Sequence, residues 1–348
     1  MDSAPGQHES RMPEPSASSP VAASAPGKLV LCGEYAVLDG APAICMAVDR
    51  RARVTIDRAA GDHHVVSAPG FSSVTGRFTD RNGDCEWVSG AQEYRLVNDV
   101  WRTAQMQCNT PLSIKLDTNE FLDPRSGAKF GIGSSAALTV ALVAGLCKVV
   151  ATTVDATSIA FAAHRHFQGG LGSGADIACC SAGGLIEYRL RAGPAEQLAW
   201  PDGLAYAFLW SGMSTGTKAK LEQLGKYDRR PTRAALAESA MRMSQAWRDG
   251  TAKAILDEYR DYTRVLREFS VDHELGIFDA GHGELTASAD AAGLVYKPCG
   301  AGGGDVGVVL AEDPAAIRAF VDTGLPANFR AMDMGIDLCG VRVAREEL

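Results

Sequence analysis

The residues whose types and spacing suggest chemistry lie in three glycine-rich stretches and one lysine far from them in the chain. The stretches are Gly131-Ile132-Gly133-Ser134-Ser135-Ala136, Gly170 to Asp176, and Gly300-Ala301-Gly302-Gly303-Gly304-Asp305. Glycine permits positive φ and close approach of backbone to a ligand, although a single glycine cluster is as often only a turn. The first stretch feeds Ser134–Val150, an Ala/Leu/Val segment with helical composition and no proline. The first amides of such a helix have no internal partner and its dipole is positive at that end, so a phosphate fits there. Ser134 and Ser135 either add hydroxyls to that anion site, one of them on Mg²⁺, or one serves as an N-cap. Asp176 reads either as a helix cap or as a carboxylate kept ionised by Lys28. If the two meet, Lys28 can stabilise an attacking oxygen or a transferring phosphoryl group.

Two common nucleotide fingerprints do not account for the first stretch. The pattern GxxxxGK[ST] is absent. GxGxxA matches at Gly131, Gly133 and Ala136, with Asp155 downstream, but a polar "DPRSGAK" precedes it where a dinucleotide-binding βαβ unit needs an apolar strand.

The elements that must position these groups are legible in outline. "GKLVLCGEYAVLDG" and "APAICMAVDRRARVTID" read as a strand pair, Ala91 to Met106 as a helix, and "PLSIKLDT" as a strand. A helix from Ser134 to about Thr152 follows, then one capped by Asp155 over "DATSIAFAAHRHFQ", then strands at "GLIEYRL" and "LAYAFLW". Beyond Trp210 come amphipathic helices at 231 to 249 and 252 to 269, strands "GLVYKP" and "VGVVLAE", a helix from Asp313, and "IDLCGVRVA". At 348 residues, two α+β domains are expected rather than one core. The boundaries are a Pro/Ser/Ala-rich disordered tail over 1–23, an N-terminal domain over 24–200 and a C-terminal domain over 201–348. No repeat of solenoid period is present.

Composition bounds the partners. A net charge of −8 argues against nucleic acid, whose binding needs clustered Lys and Arg, and no apolar run is long enough to span a membrane. Nine cysteines without CxxC or Cys/His spacing read as buried thiols in a reducing, cytoplasmic compartment. The tail has no apolar core of a secretory signal.

Taken together, the three stretches resemble the GHMP kinase superfamily. "APGKLVLCGEYAVL" is similar to its first motif, "FGIGSSAAL" to its ATP-phosphate loop and "KPCGAGGGDVGVVL" to its third motif. Within it, "AKFGIGSSAALTVAL", "QGGLGSGADIA" and "WSGMSTGTKAKL" look most like the phosphomevalonate kinase branch. The resemblance implies an α+β fold with a ribosomal protein S5 domain 2-like N-terminal domain, a ferredoxin-like C-terminal domain, and ATP and acceptor in the cleft between them. It implies ATP with Mg²⁺ as cofactors and phosphoryl transfer to (R)-5-phosphomevalonate, with mevalonate kinase or an ATP-dependent mevalonate-diphosphate decarboxylase as alternatives. By motif position, Lys28 and Asp176 are the implied catalytic pair. Lys129, Gly131, Ile132, Gly133, Ser134, Ser135 and Ala136 form the phosphate loop, with Ser135 the metal ligand. Arg165, Thr215, Lys218, Gly300, Ala301 and Gly302 join Lys28 in binding the acceptor, with Lys220 a further cation. Two departures stand out. Mevalonate-kinase-type sites often place a metal-binding Glu where this chain has "AAHRHFQ", with His164, Arg165 and His166, and Cys299 stands where phosphomevalonate kinases frequently have Ser.

Overall fold

The computed structural model describes residues 19–108, 110–151, 154–227 and 231–345. In chain order the elements are β1 (Val21–Cys32), β2 (Ala43–Arg58), β3 (His64–Ala68), β4 (Ser72–Arg81), β5 (Asp84–Ser89), α1 (Arg95–Thr103), β6 (Leu112–Asp117), α2 (Ser134–Val150), α3 (Ala156–Phe167), α4 (Ala175–Ala182), β7 (Leu185–Tyr188) and β8 (Glu196–Leu198). The second half adds β9 (Ala205–Trp210), α5 (Thr217–Leu224), α6 (Pro231–Asp249), α7 (Ala252–Asp272), α8 (His282–Ala291), β10 (Val295–Pro298), β11 (Val306–Ala311), α9 (Pro314–Thr323), β12 (Arg330–Met332) and β13 (Arg342–Arg345).

These elements form two sheets. The larger runs β13-β1-β2-β6-β3-β4-β5, with β7 and β8 branching from β2, and only the β3–β6 pairing is parallel. The smaller is antiparallel, in the order β10-β11-β9-β12. Helix α2 is buried nearly all round, as a helix of Ala, Leu and Val without a polar face must be, and packs on β1 and β2 and against α3 and α4. Its Gly145 permits that approach, since a Cβ there would lie 3.0 Å from Ile56 Cδ1. Helix α7 turns Ile255, Tyr259, Tyr262, Leu266 and Phe269 inward at helical spacing, and the Thr251 hydroxyl accepts from the Ala254 amide at its start. A single apolar cluster includes side chains from both sheets. No helix among the described residues is long and apolar enough to cross a membrane.

Several expectations shift. Residues 1–18 of the expected tail lie outside the described residues, whereas Val21–Ala23, assigned to it, pair in β1 with both β2 and β13. Burial of Val21 and Ala23 against the sheet outweighs the small-residue composition. The chain's C-terminal strand β13 joins the first sheet, not the second. Helix α1 is shorter than Ala91 to Met106, because residues 91–94 form a turn closed by Tyr94 N–H on Gly90 O. The β3–β5 meander went unread. All cysteines are free, but the expectation of burial holds only in part: Cys32, Cys45, Cys179, Cys180 and Cys299 are buried, while Cys339 is exposed.

Candidate active site

Strand β1 organises the site by touching the loops that surround it. The Lys28 amide donates to Ile132 O at 2.8 Å, seating the first glycine stretch beside the strand. Gly131 and Gly133 adopt φ of +80° and +83°, and a Cβ on Gly133 would stand 2.8 Å from Lys28 Cε. Only glycine lets the lysine stem pass under the loop. Gly133 is also the N-cap of α2, and no side chain caps that end. Neither serine therefore acts as a cap, and the dipole's positive end is open to an anion.

The second stretch leads into α4, whose N-cap is Gly174, again without a capping side chain. Asp176 is thus not a cap but a first-turn carboxylate, and its charge acts on Lys28. Burial by itself would lower the Lys28 pKa; the Asp176 carboxylate, aided by neighbouring thiols, outweighs it and holds the ammonium above the usual lysine value. Lys28 is a cation at neutral pH. The two line one cavity of about 100 Å³ together with Glu34, Tyr35, Gly300 and Ala301.

On the other side of the α2 mouth, Lys129, Ser134 and Ser135 line a second, largely apolar cavity of about 240 Å³ with Phe71, Leu138 and Phe167. The Lys129 ammonium lies 5.5 Å from the centre of the Phe71 ring. Ile132 and Ala136 are buried beneath the loop.

The third stretch closes over β1: Gly300 N–H reaches Val30 O at 3.3 Å, and the Tyr35 hydroxyl donates to Ala301 O at 2.7 Å. Its terminal Asp305 abuts the first loop, since a Cβ on Gly131 would lie 2.1 Å from Asp305 Cγ. Burial raises the Asp305 pKa. Behind the loop His282 bridges Gly304 O at 2.9 Å and the Tyr296 hydroxyl at 2.8 Å. Cys299, pushed up to about 12 by burial, stays a thiol.

Not every expected residue reaches the cavities. Thr215 spends its hydroxyl inside the third loop, 3.1 Å from both Gly302 O and Asp305 Oδ2. Gly302 faces Ile277, and the Lys220 ammonium is held by Leu275 O at 2.7 Å and Gly276 O at 3.3 Å. Lys218 and Arg165 are exposed beside the second stretch. Arg165 Nε lies 3.4 Å from Gly170 O, and a Cβ on Gly169 would be 4.0 Å from Lys218 Nζ.

Three groups at the site carried no assigned role in the sequence reading. His164 is buried between Ser135, 3.2 Å from Nε2, and Asp176, 4.0 Å from Nδ1. Asp305 is one. The other is the buried Glu34–Lys297 ion pair, in which Lys297 also donates to Leu31 O at 3.0 Å and Tyr262 donates to Glu34 Oε2 at 3.0 Å. The signal for His164 was present: Ile159, Ala160 and Ala163 define the inner face of α3, and His164 falls on it. His166 instead pairs with Asp99 at 2.9 Å.

Residues 95–184 match the family described as GHMP kinases N terminal domain, a span holding the α2 mouth, His164 and Asp176. The phosphomevalonate kinase of Streptomyces sp. (strain CL190) is 29% identical over 338 residues, covering 84% of this chain and 90% of that protein. The mevalonate kinase of Pyrococcus abyssi (strain GE5 / Orsay) is 26% identical over 352 residues, covering 92% and 98%. In fold the chain is similar to Streptococcus pneumoniae phosphomevalonate kinase in complex with phosphomevalonate and AMPPNP, at a TM-score of 0.75 and 19% identity over 90% of this chain and 99% of that one. Residues 95–184 thus match a GHMP kinase N-terminal domain, within a chain that is similar along most of its length to a phosphomevalonate kinase and a mevalonate kinase.

Proposed function

We propose that the protein transfers the γ-phosphoryl group of ATP to the phosphate of (R)-5-phosphomevalonate, giving 5-diphosphomevalonate and ADP. The observation that carries this reading is that Lys28 and Asp176, whose charges act on one another, line one cavity adjoining the open, positive end of α2. The amides there suit the nucleotide's phosphates, and the apolar cavity lined by Lys129, Ser134 and Ser135 suits its base and sugar. Lys218 and Arg165, exposed beside Gly169 and Gly170, favour an acceptor that brings its own anionic group.

A phosphate monoester loses its second proton near a pKa of ~6, so this acceptor arrives as a nucleophile at neutral pH. Asp176 then orients Lys28 and the acceptor rather than removing a proton, and Lys28 offsets charge on the transferring group. The donor set fits Mg²⁺. Ser135 and Asp176 are oxygen donors, and among the described residues no group of three or more His, Cys, Asp or Glu is arranged to hold a metal alone. A Mg²⁺ held by Ser135 and nucleotide phosphates would neutralise phosphate charge.

The second reading is mevalonate kinase, favoured by the similarity to such enzymes along nearly the whole chain, with Asp176 as base for a hydroxyl. Coupled ADP-release assays on phosphomevalonate and mevalonate, with CO₂ measured alongside, separate the two and detect a decarboxylase. Turnover confined to mevalonate would overturn the proposal.

A further inference from the structure

We propose that Arg330 is a positioning residue for the phosphate loop: through Asp123 and Trp210 it latches the arm that leads into Gly131 onto the smaller sheet. The inference rests on the kinase reading above and adds to it a residue that lies outside all three glycine stretches.

Residues 121–130 form a closed arm between β6 and the phosphate loop. The Asp123 amide donates to Ala128 O at 2.8 Å, the Gly127 amide to Asp123 O at 2.8 Å and the Phe130 amide to Phe121 O at 3.0 Å, and Leu122 pairs with Lys129 across the arm. Bonded to itself in this way, the arm holds its shape, and its returning leg runs straight into Gly131. Its two faces differ, as alternation along extended chain requires. Leu122 and Lys129 line the nucleotide-side cavity, whereas the neighbouring Asp123 and Phe130 meet the smaller sheet.

Asp123 is 3% exposed and divides its two oxygens between these tasks. Oδ2 accepts from the Ser126 hydroxyl at 2.6 Å and the Ser126 amide at 3.1 Å, within the arm. Oδ1 lies 2.5 Å from Arg330 Nη2 on β12. Arg330 stands opposite Trp210 in the β9–β12 pairing, with its guanidinium carbon 4.5 Å from the centre of that ring. The Phe130 ring meets the same Trp210 at 5.3 Å and an interplanar angle of 85°. One residue further on, the Ser211 amide donates at 3.0 Å to the carbonyl of Asp305, the residue that abuts Gly131. A buried carboxylate keeps its cation, so docking the arm on the sheet requires Arg330. The latch thereby sets where the loop amides stand relative to the third glycine stretch. Misplacing a reacting group by about 1 Å costs about 10²-fold in rate.

The test is steady-state ADP release by the full chain, with ATP varied against whichever of phosphomevalonate and mevalonate the wild type turns over, together with calorimetric titration by ADP. The variants are Arg330→Met, Asp123→Asn, their double variant and Arg248→Met, each melted to check its fold and assayed well below its melting temperature. Arg330→Met should lose about tenfold to 100-fold in kcat/KM for ATP and about threefold or more in ADP affinity, while KM for the acceptor moves less than about twofold. Asp123→Asn carries the same expectation and serves if the methionine variant does not fold. The double variant should lose no more than the worse single variant, because the two act through one contact. Arg248→Met breaks another link between the two halves, from α6 to Glu187 on β7 at 2.9 Å rather than to the arm, and should lower the melting temperature alone. Unchanged kcat/KM for ATP in a folded Arg330→Met, an equal loss in Arg248→Met, an equal shift in the acceptor's KM, or additive losses in the double variant would each overturn this inference alone. A wild type that turns over neither acceptor and does not bind ADP would overturn the kinase reading and this inference together.

Discussion

Replacing Lys28 by Met and Asp176 by Asn should damage the enzyme unequally. Met keeps the apolar stem that passes beneath Gly133, where a Cβ would stand 2.8 Å from Lys28 Cε, and removes only the charge. Two unit charges about 4 Å apart interact by about 4 kcal/mol at an effective dielectric of about 20. At about 1.4 kcal/mol per tenfold in rate, losing that interaction with the transferring group lowers kcat by roughly a thousandfold. The loss belongs in kcat more than in KM, because charge on the phosphoryl oxygens is redistributed in the transition state. Asp176→Asn preserves shape and removes the charge that raises the Lys28 pKa. With an acceptor already ionised, this should cost less than the about 10²-fold to 10⁴-fold typical of removing a working general base. Steady-state ADP release with phosphomevalonate measures both variants, with thermal unfolding as the check on fold. Equal collapse of kcat in two well-folded variants would refute the orienting role of Asp176.

Other perturbations follow from the same geometry. Gly133→Ala forces a left-handed residue to carry a Cβ, about 1–2 kcal/mol of strain, and displaces Lys28, so melting temperature and kcat should fall together. Lys297→Met strands the buried Glu34 carboxylate and should cost about 3–5 kcal/mol in urea unfolding, much of it recovered when Glu34→Gln is added. Burial lowers His282 to about 4, so its contribution is present above the unfolded value near 6.5 and is lost as pH falls from there through about 4. That amounts to about 3 kcal/mol, at about 1.4 kcal/mol per unit. Urea titrations between pH 4 and 7 should show it, and His282→Gln should flatten the profile.

Particular elements show what could be read without coordinates. Helices α2, α3, α6, α7 and α9 declare themselves by apolar spacing and by caps such as Asp155 and Asp313, whose carboxylates do accept from the following amides. Strands β3 to β5 did not: β5 alternates exposed and half-buried residues and Val88 is 68% exposed, so its pattern lacks the contrast of a buried face, while β3 buries alternate residues over only five positions. The small residues of Val21–Ala23 carried no strand signal either, because their burial comes from β2 and β13, far away in sequence. At the site, the glycine loops and Lys28 were legible as types. The "HRH" triplet was ambiguous, and only packing separates buried His164 from exposed Arg165 and His166.

The sequence by itself determined which backbone segments must turn sharply, which helix ends offer free amides, and which charged residues lie beside them, since these are properties of local conformation. Tertiary structure decided which of those groups meet. It set Asp176 and Ser135 against the two nitrogens of His164, committed Thr215 and Lys220 to backbone duty, and left Lys28 charged in the cavity it shares with Asp176. Such meetings depend on the packing of α2 and α4 on β1 and of α3 against both helices, and hence on shape and burial summed over segments more than a hundred residues apart.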